Sequence, residues 1–169
     1  MGTKNNLEIE RKFLLKRVPN FNREEIEKYL IHQIYVDIDG KITRFRMTEK
    51  FGKIDEKFER QYFQCNKKSI SSGVFEEIEI EITPEFFRDM THKEHSYITK
   101  TRHVYEHGGL KWEVDLYHDV KLVTLEVELD DINQEITIPE IIEKEMIVEV
   151  TGQRVFSNQN LSIKEEFTV

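Results

Sequence analysis

The stretch Glu8-Ile9-Glu10-Arg11-Lys12-Phe13-Leu14 decides how the rest of the chain is read. On the two-residue period of a β-strand, Glu8, Glu10 and Lys12 share one face, while Leu7, Ile9 and Phe13 share the other. Two carboxylates and an ammonium on one face are at odds with a dry core, where unpaired charge is costly. They suit the wall of a wet, charged cavity.

The same alternation recurs along the chain. Arg44 and Arg46 alternate with Phe45 and Met47; Glu77, Glu79 and Glu81 alternate with Ile78, Ile80 and Ile82. Lys100 and Arg102 follow, then Glu113 and Asp115 between Trp112, Val114 and Leu116, then Glu126 and Glu128 between Leu125, Val127 and Leu129. One such strand has a simple explanation as a half-solvated antiparallel strand. The set is harder to explain that way, because the charges segregate by strand. Two strands are basic and others are acidic, whereas a merely solvated face more often mixes signs. Facing carboxylate pairs call for a divalent cation, and facing Arg/Lys pairs call for a polyanion.

Eight strands are predicted, over 7–14, 29–37, 41–49, 57–66, 74–82, 97–105, 110–117 and 121–129. Asp39-Gly40 and Gly108-Gly109 are hairpin turn signals. Short helices are predicted after the cap Asn22 through about Lys28, at Pro84 with Thr83 as cap, and over Glu140–Glu145 after Pro139. The segment after Thr151 reads as a strand end followed by a helical turn. The fold class is therefore mostly β (α+β) with short flanking helices, either an eight-stranded antiparallel closed barrel or a strongly curved sheet.

The chain has 169 residues, so a single domain spanning 1–169 is expected. The net charge of −8 argues against a general nucleic-acid binder, so phosphate binding would need a local basic cluster. Cys65 is the only cysteine and reads as structural. The start Met1-Gly2-Thr3-Lys4-Asn5-Asn6 has no apolar run, and no stretch reaches membrane-spanning length; a cytoplasmic location is expected. No GxxxxGK[ST] occurs, so phosphates are not cradled by a P-loop. His92-x-x-His95 and His103-x-x-x-His107 read as solvated loop histidines, and Phe13, Phe45 and Trp112 as packing residues on the outer face.

The ordered set of motifs resembles the CYTH, or triphosphate tunnel metalloenzyme, family. It begins with Glu8-x-Glu10-x-Lys12 and continues through Gln33-x-Tyr35, Arg44-Phe45-Arg46, a lysine at 67 or 68 and Glu77-x-Glu79. It ends with Lys100-Thr101-Arg102, Glu113-x-Asp115, Glu126-Val127-Glu128 and a C-terminal part with Glu149-Val150-Thr151, Arg154 and Asn158. The resemblance covers about residues 7 to 161. It implies a charged tunnel that binds a triphosphate compound with Mg²⁺ or Mn²⁺, the ligand being tripolyphosphate or a nucleoside or thiamine triphosphate. Glu8, Glu10, Glu126 and Glu128 are the metal ligands it implies. Lys12, Arg44, Arg46, Lys68, Lys100, Arg102 and Arg154 would hold the phosphates. Glu77, Glu79, Glu113 and Asp115 would serve a second metal or orient a water. Lys67 and Lys68 point to opposite faces, and spacing to Glu77 favours Lys68.

The chain departs from the family where Phe75, Gln153 and Phe156 stand, all bearing on the outer part of the site. The activity implied is metal-dependent hydrolysis of a triphosphate. The alternatives are a class IV-type adenylate cyclase and a module that binds a triphosphate or nucleotide without turnover. No membrane or nucleic-acid duplex is expected as a partner.

Overall fold

In the computed structural model, residues 4–51 and 59–163 are described. The strands are β1 (Lys4–Leu15), β2 (Ile26–Ile38), β3 (Lys41–Lys50), β4 (Arg60–Ser71), β5 (Val74–Glu81), β6 (His95–His107), β7 (Leu110–Tyr117), β8 (Val123–Leu129) and β9 (Met146–Glu149). Between and after them lie the helices α1 (Pro84–Thr91), α2 (Glu140–Glu143) and α3 (Asn158–Ser162). The sheet order is β5-β4-β3-β2-β6-β7-β8-β1-β9, and a further β5–β1 pairing closes it.

Closure depends on how β1 is shared. Its first half, Lys4–Ile9, pairs antiparallel with β5; its second half, Ile9–Leu15, pairs with β8. The eight-stranded antiparallel barrel expected from the alternation is present, with β9 added beside Phe13–Leu15 of β1. Both hairpin signals make two-residue turns, with φ positive at Asp39 (51°) and Gly40 (84°) and at Gly108 (61°) and Gly109 (76°). Such turns match the right-handed twist of the flanking strands.

The apolar faces point outward and form their cores under the helices. Phe13, Trp112, Val114, Leu125 and Val127 pack with Ile142 of α2. Ile34, Val36 and Phe45 pack under Phe87 of α1. Phe13, Phe45 and Trp112 are almost wholly buried in these outer cores. Truncating Trp112 or Phe45 to Ala would cost about 3–5 kcal/mol by the usual core arithmetic. The Thr83 hydroxyl accepts a hydrogen bond from Phe86 N at 3.1 Å and Pro84 opens α1, so this helix starts as its sequence predicts.

Two local expectations need correction. Asn22 does cap a turn, accepting from Glu24 N, but the turn spans only Arg23–Glu25. The chain then enters β2 at Ile26, because Ile26–Val36 finds a long partner in His95–Tyr105. Pairing along eleven residues outweighs the weak local helix preference. The helix after Pro139 is also shorter than expected and gives way to β9. For the fourth predicted strand, positions 57 and 58 lie outside the described residues. Among the described residues, no helix is long and apolar enough to cross a membrane.

Candidate functional site

The inward parity of the barrel strands other than β2 carries the charges, and β2 presents Gln33 and Tyr35 there instead. Register places Lys12 opposite Glu126, Glu10 opposite Glu128, Glu113 opposite Glu126, and Arg102 opposite Asp115. All of these charged residues but the fully buried Asp115 line two adjoining cavities inside the barrel, of about 710 and 60 Å³, which share Glu10, Arg44, Lys67, Glu126 and Asn158. Glu8, Arg46, Glu77, Arg102, Glu113 and Glu128 line the smaller one. One end of the barrel is covered by α3, whose Leu161 packs on Ile98 and Tyr117. The Ser162 hydroxyl meets that of Ser96 at 2.7 Å.

The basic side is built on β3 and β6. Lys100 is fully buried, with Nζ 2.8 Å from Asp115 Oδ2 and donating to Asn158 Oδ1 at 3.3 Å. Burial outweighs the attraction of Asp115 and pulls the Lys100 ammonium down to about 8, with Arg102 and Arg46 adding repulsion. Arg102 donates to both Asp115 oxygens and also pairs with Glu113. Arg44 lies 3.6–3.7 Å from Glu77 and Glu79, and its buried Nε has no hydrogen-bond partner among the described residues. Arg46 donates Nε to Gln33 Oε1 at 2.7 Å and meets no carboxylate within 4 Å among the described residues. Burial, then Arg44 and Arg102, push Arg46 down to about 10. Three crowded guanidinium groups, one lacking a carboxylate and another with a spare buried donor, constitute an anion-seeking surface.

The acidic side is built on β1 and β8. Burial, then the neighbouring Glu126, pushes the Glu10 carboxyl up to about 8. Burial and a hydrogen bond with Glu77 raise Glu8; burial, Glu8 and Glu113 raise Glu128. Burial would raise Glu126 too, but Lys12, Lys100 and Arg102 outweigh it and hold this carboxyl well below the usual range. Lys12 Nζ lies 3.3 Å from Glu126 and donates to the Phe156 carbonyl at 2.6 Å. The cluster is a set of hard oxygen donors, the ligand type that Mg²⁺ and Mn²⁺ take. Among the described residues the three ligand atoms that already lie within 4.8 Å of one another are those of Cys65, Glu77 and Glu79, so the Glu8, Glu10, Glu126 and Glu128 carboxylates would have to close in to hold such an ion.

Lys67, not Lys68, faces this cluster. Lys67 Nζ lies 2.8 Å from Glu8 Oε2 and 3.4 Å from Glu10 Oε1, while Lys68 alternates to the other face. The expectation of Lys68 rests on an unbroken count across the β4–β5 turn. A bulge between Ser69 and Ser71 shifts the register by one and sets Lys67 opposite Glu77.

The remaining expected residues are also brought together, though in differing company. Both Asp115 oxygens are taken up by Lys100 and Arg102, so Asp115 fixes the basic groups. Arg44 approaches both Glu77 and Glu79 at the longer distance, and Glu77 also accepts from the Cys65 thiol at 3.4 Å and shares a hydrogen bond with Glu8. Arg154 is exposed at the rim of the larger cavity. Cys65 lies within 4.8 Å of the Glu77 and Glu79 carboxylates, and burial pushes its thiol up to about 11. His103 is buried against Val114 O, contrary to its reading as a solvated loop residue. Tyr117 was not singled out from the sequence. Its hydroxyl donates to Asn158 Oδ1 at 2.5 Å, and its place two residues after Asp115 on the inward face was the available signal.

No protein-family model matches the sequence, and no curated protein matches it. Among solved structures the chain is similar to a conserved hypothetical protein from Pyrococcus furiosus, at 21% identity over 82% of this chain and 83% of that one, with a TM-score of 0.46. It is similar to a protein from Pyrococcus horikoshii at 19% identity over 81% and 84% of the two chains, TM-score 0.45. It is also similar to a protein from Bacillus halodurans provisionally named an adenylate cyclase, at 15% identity over 83% and 97%, TM-score 0.45.

Proposed function

We propose that this chain is a metal-dependent triphosphatase of the triphosphate tunnel kind, hydrolysing inorganic triphosphate or a related compound inside its barrel. The observation that carries the reading is the meeting of two opposite charge sets in one enclosed space. Glu8, Glu10, Glu126 and Glu128 lie on one side, and Arg44, Arg46 and Arg102 on the other, around the same small cavity.

In this reading Arg44, Arg46 and Arg102 bind the phosphate oxygens, with Lys12 and Lys100 beside them. Glu8, Glu10, Glu126 and Glu128 hold the divalent cation. When bound, that ion neutralises phosphate charge and polarises the phosphoryl oxygens. Glu77 and Glu79, loosely engaged by Arg44, accept a hydrogen bond from the attacking water and take its proton. The water oxygen bonds to the terminal phosphorus as the bond to the bridging oxygen breaks, leaving orthophosphate and pyrophosphate. Asp115 and Glu113 fix Arg102 so that its donors need no rearrangement as charge develops.

The test is product identification after incubation with tripolyphosphate, and separately ATP, in the presence of Mg²⁺ or Mn²⁺. Orthophosphate is expected from tripolyphosphate. Cyclic AMP with pyrophosphate from ATP would replace hydrolysis by cyclisation. Tight binding without product would make the barrel a binding module.

A further inference from the structure

One ammonium lies between Glu8 and Glu10, apart from the Lys12 ammonium at Glu126. Lys67 reaches from β4 between Glu8 and Glu10 of β1, 2.8 and 3.4 Å from their nearest oxygens, and has Glu77 opposite it in register. The same Nζ lies 4.1 Å from the centroid of the Phe75 ring. Phe75 is a residue at which the sequence departs from the family pattern, and here it supplies an aromatic face to the cation. The platform is held in place. Gly73 O accepts from Glu10 N at 2.8 Å, and a Cβ at Gly73, whose φ is +74°, would lie 2.7 Å from the Glu10 carbonyl oxygen. The turn that aims Lys67 is thus bound to the strand that carries the carboxylates.

We propose that Lys67 is the resident counter-ion of the acidic cluster, and that a divalent cation binds by exchanging with it. The inference rests on the metal reading of Glu8, Glu10, Glu126 and Glu128 given above. Two cations cannot share these oxygens without repulsion, so metal entry drives the ammonium away from Glu8 and Glu10. Arg44 and Lys67 line both cavities, so the displaced ammonium remains within the space assigned to the polyanion. Lys67 therefore couples the two ligands: it lowers metal affinity when no anion is present and offers a further cation to the anion once metal is bound.

Calorimetric titration with Mn²⁺ alone, without phosphate, tests the exchange in the full chain. Lys67→Met keeps the stem and removes the competing charge. It is expected to bind Mn²⁺ about tenfold more tightly or better, the consequence of losing one close like charge. Lys67→Arg restores the charge and is expected to return the affinity toward that of the wild type. Thermal melting gives a second reading. In chelator, Lys67→Met is expected to melt below the wild type, because Glu8 and Glu10 lose their cation, and Mn²⁺ should reverse the loss. Equal or weaker Mn²⁺ binding by Lys67→Met overturns the exchange while leaving the metal site standing. Melting of Lys67→Met at or above the wild type in chelator overturns the counter-ion role. Absence of Mn²⁺ binding in both proteins overturns the exchange together with the metal reading.

Discussion

Asp115 holds Arg102 through both of its carboxylate oxygens, Nε to Oδ1 at 2.8 Å and Nη2 to Oδ2 at 2.9 Å, while Oδ2 also meets the buried Lys100 ammonium. One fully buried carboxylate thus neutralises and orients two cations of the proposed phosphate surface. Asp115→Asn leaves both cations in place without the carboxylate that touches them both, Arg102 keeping Glu113 and Lys100 keeping only the more distant Glu126. Urea unfolding is expected to show a loss of about 3–5 kcal/mol, the usual cost of removing one partner from a buried pair. An unchanged midpoint would mean that Lys100 and Arg102 do not depend on this carboxylate.

Arg46 should behave in the opposite way. Among the described residues no carboxylate lies within 4 Å of it, and Arg44 and Arg102 crowd it more than Glu79 attracts it. In Arg46→Gln, relief of that crowding opposes the lost hydrogen bond to Gln33, so stability is expected to change by no more than about 1 kcal/mol. Tripolyphosphate affinity should fall about ten- to a hundredfold, since a hydrogen bond to a charged group is worth roughly 1.5–3 kcal/mol. Large destabilisation with unchanged anion affinity would make Arg46 a structural residue.

Much of this arrangement was legible before the structure. Alternation of Glu8/Glu10/Lys12, Arg44/Arg46 and Glu126/Glu128 with apolar residues fixes both the strands and their inward faces, because a strand's period is two. Asp39-Gly40 and Gly108-Gly109 mark their turns because both central positions need positive φ. What escaped depends on distant partners. Nothing local to Arg23–Lys28 announces β6, and nothing in Lys67-Lys68 announces the bulge that chooses between them. The placement of Asn158 against Lys100 and Tyr117 likewise exists only once α3 covers the end of the barrel.

Glu10→Gln separates stability from metal binding. Burial and Glu126 disfavour the charged Glu10 carboxylate in the folded state, pushing its pKa up to about 8. Melting in chelator near pH 8 is therefore expected to give Glu10→Gln a higher Tm than the wild type. The same variant should lose most of the Tm increase that Mn²⁺ gives the wild type. A lower Tm in chelator would contradict the cost of the buried charge at Glu10, and an undiminished response to Mn²⁺ would remove Glu10 from the metal set.

Lys100 sets a pH dependence. Its folded pKa of about 8 lies below the ordinary 10.5, so between these values the unfolded chain binds more protons. Its contribution to stability therefore rises with pH across about 8 to 10.5, and Lys100→Met should remove that part of the slope. The groups facing it are Asp115, Arg102, Arg46, Glu126, Tyr117 and Asn158. A bound polyanion favours the charged form, so proton uptake on tripolyphosphate binding is expected near pH 8. Calorimetry in buffers of different ionisation enthalpy would read it, and the absence of uptake would contradict the placement of Lys100 beside the anion.

Metal and polyphosphate meeting in one cavity is tested most directly by calorimetric titration of orthophosphate, pyrophosphate and tripolyphosphate, each with Mn²⁺ and again in chelator. Affinity is expected to rise steeply with chain length, because a longer anion offers more oxygens to Arg44, Arg46 and Arg102 around one cavity, and to fall sharply in chelator. Equal affinities for the three anions, or tripolyphosphate binding that chelator leaves unchanged, would contradict it.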